Sequence, residues 1–276
     1  MRISIVTSAT TSCSLYFIQT CVTLDGMITA RSITEVISHL DNIIAWSQLN
    51  QNRIGYFATL YRRMTIAVQQ GIQNSSFEDG SRMEQLDVIF ANRYLQAWEA
   101  YINKQKCTNA WGKTFDACNS NNLIVLQHLI LGINTHINLD LAIAAAQTCP
   151  GEKIYALQGD FEKINGVIAS ISQDVQDKLA GIWFPLRLLK KFSNKREEAV
   201  LNFSINAARK TSWANGVALA LVQGQAHSNY IDMIDNSVVN IASRTIQPGL
   251  MVNFILWPVR MMESKNVGKI IDILKN

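Results

Sequence analysis

Residues 123–147 constrain the fold more than any other stretch, because Leu, Ile, Val and Ala cover this segment almost all round and it ends at Cys149-Pro150-Gly151. A run of this length with such a stop reads as one helix that packing surrounds on every side. Its polar residues are few and regularly placed. At about 100° per residue, His128, Gly132, His136 and Asp140 fall within about 120° of one another and share one side. Two imidazoles and a carboxylate buried without partners would cost several kcal/mol, so each needs a hydrogen bond, a counter-charge or a metal ion.

The rest of the chain from Ser32 onward has the same helical period, with apolar residues at three- and four-residue intervals and little strand-like alternation. The fold class read from this is all-α: one multi-helix orthogonal bundle around the buried helix. Ser32 and Glu35 form a capping box for a first helix whose core face is Ile33, Val36, Ile37, Leu40, Ile43 and Ile44. Further helices are predicted over 53–72, 78–104, 152–179, 183–192, 196–222, 226–246 and 250–274, the last bent near Pro258. The polar stretch 108–122 reads as a loop with a short helix around Phe115. With four prolines and no linker-like segment, residues 32–276 read as one domain. Residues 1–31 read as a flexible or non-native leader: they make a poor signal peptide, and Met27 is an alternative start.

Composition excludes several classes. Hydrophobic residues make up 48% and charged residues 17% of the chain, which requires a packed core. A net charge of +4 without a clustered basic patch gives no support to nucleic-acid binding. The apolar runs are broken by Gln127, His128 and Asn134, so no transmembrane span is expected. The five cysteines form neither a CxxC pair nor an even framework and read as reduced thiols of a cytoplasmic protein, with Cys107 and Cys118 close enough in sequence to pair. No G-x-S-x-G, P-loop or G-x-G-x-x-G occurs.

Two readings of the polar ladder follow. In the first, His128, His136, Asp140 and Asp87 are both the catalytic and the metal-binding set. Asp87 is the best ligand candidate from another helix, because a solvated carboxylate is out of place in Leu86-Asp87-Val88-Ile89-Phe90. A divalent ion, Zn or Mg, would polarise a phosphoester or diphosphate oxygen, or activate water, in an apolar cavity suited to a lipid or isoprenoid tail. Hydrolase and terpenoid lyase chemistry both fit. Asn92, Arg93, Tyr94, Asn134, Asn202 and Arg209 are the candidate substrate-binding groups, and Gly132 would leave a gap between the histidines for ligand or water. Asp160 is a second candidate ligand, or a first-turn acid complementing the dipole of the helix over 152–179. In the second reading the ladder is a satisfied core cluster of a non-catalytic module that binds an apolar small molecule or a protein partner.

Several motifs carry a resemblance. Gly55-Tyr56-Phe57, Leu60-Tyr61-Arg62-Arg63, Phe77-Glu78-Asp79-Gly80, residues 86–94 and residues 131–141 resemble, in order, an uncharacterised bacterial domain-of-unknown-function family (family 5995) with a G-x-N-x-H-I-x-x-D-L signature. The resemblance spans about Ile33 to Leu274 and implies domain limits without a substrate. His136 and Asp140 alone are also similar to the i, i+4 pair of all-helical zinc-dependent phospholipases and nucleases, whose other ligands have no counterpart here.

Overall fold

Ser32 opens the first helix as its sequence requires. Its hydroxyl accepts from the Glu35 amide at 3.2 Å, while the Glu35 carboxylate accepts from the Arg31 amide at 2.7 Å, one residue before the expected partner. In the computed structural model this helix is α1 (Ile33–Leu49), followed by α2 (Ile54–Gln73), α3 (Gly80–Ile102) and α4 (Asn109–Cys118). The central helix is α5 (Val125–Thr135), a π turn (His136–Asp140) and α6 (Leu141–Thr148) in one continuous rod. A 3₁₀ segment (Gly151–Leu157) precedes α7 (Arg196–Leu221), α8 (Gly224–Ile246), α9 (Leu250–Met262) and α10 (Val267–Lys275). The structure describes residues 28–164, 166 and 196–275, without the side chains of 196–204. There is no strand among the described residues, and the fold is all-α.

The central helix joins two cores. Val125 and Leu129 pack with α1, α2, α4 and α10 through Leu40, Ile44, Tyr56, Phe115 and Ile271, whereas Leu139 to Ala146 pack with α7 and α8 through Leu219, Ile234 and Val238. Phe90 and Ile133 touch both, so His136 lies near their junction. Small residues set the spacing on the α6 side: a Cβ on Gly216 of α7 would lie 3.2 Å from the Ala142 carbonyl and 3.4 Å from Ala145. The rod has the length and apolarity to cross a membrane, and 83% of its most apolar stretch is buried inside the protein, as for a core helix.

Buried carboxylates from distant parts of the chain satisfy the open amides at three helix starts. Asp160 accepts from the Glu78 and Asp79 amides at the start of α3 (2.7 and 3.0 Å) and from Arg82. Asp235 accepts from the Asn109 and Ala110 amides of α4 (3.0 and 2.9 Å), and Glu263 from the Val125 amide of α5 (3.0 and 3.1 Å). Although burial raises its pKa, these amides and Arg82 hold Asp160 below the ordinary carboxylate value. Asp160 therefore complements the dipole of α3, not that of the segment it was expected to open.

Other expectations change in detail. The stretch 108–122 contains a ten-residue helix, capped by Thr108. Residues 250–274 form two helices whose break falls at 263–266, where Asn266 accepts from the Lys269 amide at 2.9 Å; Pro258 sits inside α9. Residues 28–31, assigned to the leader, are docked: Asn92 exchanges hydrogen bonds with both backbone groups of Ala30 (2.7 and 2.8 Å), and Glu99 accepts from the Ile28 amide at 2.6 Å. Cys107, Cys118 and Cys149 are free thiols, so Cys107 and Cys118 are not bridged. The expected helices over 167–192 lie outside the described residues.

Candidate functional site

Asp140 is completely buried and fully engaged. Oδ1 accepts from Arg93 Nε at 2.8 Å; Oδ2 accepts from Trp111 Nε1 at 2.8 Å and lies 3.0 Å from His136 Nδ1. An ionised carboxylate only accepts, so Nδ1 of His136 carries a hydrogen and, in the neutral ring, Nε2 carries the lone pair. Burial lowers the His136 pKa, against the opposing pull of Asp140, and favours that neutral ring. The π turn adds one residue to the helix at this point, a distortion found disproportionately at functional sites.

Aromatic rings enclose the imidazole. Phe90 stacks on it with centroids 3.6 Å apart and planes 10° from parallel, and Tyr61 meets it edge-on at 4.4 Å. Phe57, Tyr94 and Trp111 stand at 5.7 to 6.0 Å. Among the described residues His136 Nε2, the hydroxyls of Tyr61 and Tyr94 in this shell, and Asp87 Oδ2 on α3 are buried with no hydrogen-bond partner. Burial, then the charges of Asp87 and Asp140, raise the Tyr61 hydroxyl well above the usual phenol value. Asp87 shares a face of α3 with Phe90 and Tyr94, and burial, followed by the charge of Glu84, pushes its carboxyl up to about 7.

The ladder expected as one unit is divided. His128 lies elsewhere, in a cleft lined by Arg53, Tyr56, Asn121, Leu123, Val125, Glu263, Ser264 and Lys265. Neither of its nitrogens has a hydrogen-bond partner among the described residues, and burial together with Arg53 lowers its pKa to about 3. Between the histidines Gly132 leaves no gap: a Cβ there would lie 2.3 to 2.8 Å from Phe57, whose side chain fills the space. Nor do the four expected ligands meet. Among the described residues no three His, Cys, Asp or Glu side chains group as metal donors. The Arg93 guanidinium takes the side of Asp140 where a cation would bind. Of the expected set, His136 Nε2, Asp87 Oδ2 and both nitrogens of His128 have no hydrogen-bond partner among the described residues.

Of the expected substrate-binding groups, Arg93 supports Asp140, and Tyr94 is a buried wall of the aromatic shell. Asn92 holds Ala30, and Asn134 donates to the Val238 carbonyl at 3.1 Å, so both fasten the fold. Arg209 donates to the Phe161 carbonyl and covers its ring, with the guanidinium carbon 4.4 Å from the centroid. The Asn202 side chain lies outside the described residues. Tyr61, Phe90 and Trp111 belong to the site and were not among its candidates. A lone Trp within the polar stretch 108–122 was the available signal for Trp111.

A family model covers residues 33–248 of the chain, through all the helices that build the site. The chain belongs to the family of unknown function DUF5995. The match ends two residues before α9, short of the Leu274 limit suggested by the motifs. Neither a curated protein nor a solved structure matches the chain.

Proposed function

We propose that the chain is an enzyme that uses general acid–base catalysis on a small, largely apolar ester or phosphoester bound among α2, α3 and the central helix. His136 Nε2 accepts a proton from water as its oxygen attacks the substrate. Asp87, in its acid form, gives a proton to the departing alkoxide. Asp140 is a positioning residue that sets the His136 tautomer. The observation that carries the reading is the set of unpartnered buried polar atoms at His136, its own Nε2 and the hydroxyls of Tyr61 and Tyr94, whose rings stand 4.4 and 6.0 Å from the imidazole; Asp87, on the α3 face that carries Phe90, adds a buried unpartnered Oδ2. Each such group costs about 1–3 kcal/mol, a cost a polar substrate group would offset. The rings of Phe57, Phe90, Tyr61 and Tyr94 suit a lipid-like or isoprenoid-like body, and a carboxyl titrating at about 7 is a competent acid near neutral pH.

Hydrolysis of a panel of apolar esters and phosphoesters tests this. His136→Gln is expected to lose about a hundredfold or more in kcat, and Asp87→Asn to slow alkyl esters while sparing p-nitrophenyl esters, whose leaving group needs no proton. Full activity in His136→Gln contradicts the reading. Loss on chelation with recovery on Zn or Mg addition would favour a metal-assisted hydrolase instead. A non-catalytic module is the second reading, favoured by the complete engagement of Asp140; under it His136→Gln lowers Tm and changes no rate.

A further inference from the structure

Helix α9 turns its apolar side outward. Val259 is its buried residue and Leu256 packs on the first core, while Leu250, Met251 and Phe254 are 92, 80 and 81% exposed. At about 100° per residue, an arc of about 160° running from Trp257 through Leu250 and Phe254 to Ile255 is exposed and holds no polar side chain. Asn253 and Arg260, linked at 3.5 Å, lie on a flank beside the body. A surface helix of a water-soluble domain has the opposite arrangement, and an apolar patch of this kind marks an interaction surface.

We propose that α9 seats the protein on a lipid surface bearing anionic headgroups, lying in the headgroup plane. Its 13 residues span about 20 Å, short of the roughly 30 Å hydrocarbon core, so the helix is too short to cross. An exposed tryptophan beside Phe and Leu is the composition of an interfacial helix. The nearby charges favour a lipid over a second copy. Arg260 lies at the edge of the apolar arc and Lys265 follows α9, donating to the Arg260 carbonyl, while α9 has no acidic residue and the Glu263 carboxylate is buried on the Val125 amide. A symmetric dimer across α9 would join two faces that carry cations and no free carboxylate of α9, whereas anionic headgroups complement them. The segment also lies beyond the family match.

Sedimentation of the full chain with phosphatidylcholine vesicles, with and without phosphatidylglycerol, tests the proposal. Binding is expected to vesicles containing phosphatidylglycerol and to weaken in high salt. The double variant Leu250→Ser/Phe254→Ser is expected to bind at least about tenfold more weakly, with an unchanged melting curve because both side chains are exposed. Protein that stays in the supernatant with both vesicles, or a double variant that binds as tightly as the parent, overturns it. Equal binding to phosphatidylcholine alone overturns the anionic requirement. A dimer in light scattering that the double variant dissolves, without vesicle binding, assigns the face to a second copy and overturns the lipid surface.

Discussion

The indole N–H of Trp111 ends 2.8 Å from Oδ2 of Asp140, the same oxygen that lies 3.0 Å from His136 Nδ1. The two donors share one atom, so removal of the indole leaves that oxygen to the imidazole. Trp111→Phe keeps the ring and deletes the bond to a charged acceptor, with an expected loss of about 2 kcal/mol in denaturant unfolding. The His136 pKa should rise at the same time, measurable by NMR titration. Unchanged stability and an unchanged titration would mean that Trp111 only fills space.

Asp87 makes stability pH-dependent in a direction unusual for an acid. Its folded pKa of about 7 stands above the ordinary 3.8, so folding takes up a proton between these values. Its contribution is fully present below about pH 4 and is lost as pH rises through 7. Asp87→Asn resembles the protonated acid and should stabilise the protein by a few kcal/mol at pH 8 while changing little at pH 4. Urea unfolding at the two pH values reads the difference.

His128 acts in the opposite sense. Its folded pKa of about 3 lies below the ordinary 6.5, so the unfolded chain binds the extra proton. The resulting stability is complete above pH 6.5 and is lost as pH falls toward 3. His128→Gln should flatten the acid limb of the stability profile over that window; an unaltered limb would contradict the burial of a neutral ring.

Gly132→Ala forces a methyl group into Phe57 and should cost about 2 kcal/mol, seen as a lower Tm. Phe57→Leu in the same chain should recover part of it. A neutral Gly132→Ala would mean that α2 and α5 are not in the contact observed.

Much of the fold was legible in the sequence because burial and helical period are local properties. The capping box at Ser32, the apolar circumference of 123–147 and the Pro150 stop each appear within a few residues of where they act. The caps supplied by Asp160, Asp235 and Glu263 were not legible, since each acts on an amide at least 80 residues away. The ladder shows the same division. His136 and Asp140 meet because they are one turn apart on one helix, whereas the separation of His128 depends on Phe57 of α2 filling the space at Gly132. Arg93 was read as a substrate ligand because nothing on α3 alone reveals that it faces Asp140. The break at 263–266 was missed because Pro258 is the stronger local signal, while Glu263 is drawn out of the helix by the start of α5.

The central claim is that His136 is a neutral base with its lone pair on Nε2. Long-range ¹H–¹⁵N correlation spectra of ¹⁵N-histidine-labelled protein, assigned with His136→Gln, read the tautomer directly. The expected result is an Nδ1–H, Nε2-lone-pair ring for His136 at neutral pH, lost in Asp140→Asn. An Nε2–H tautomer, or an imidazolium at neutral pH, leaves no atom to accept a proton and would contradict the account.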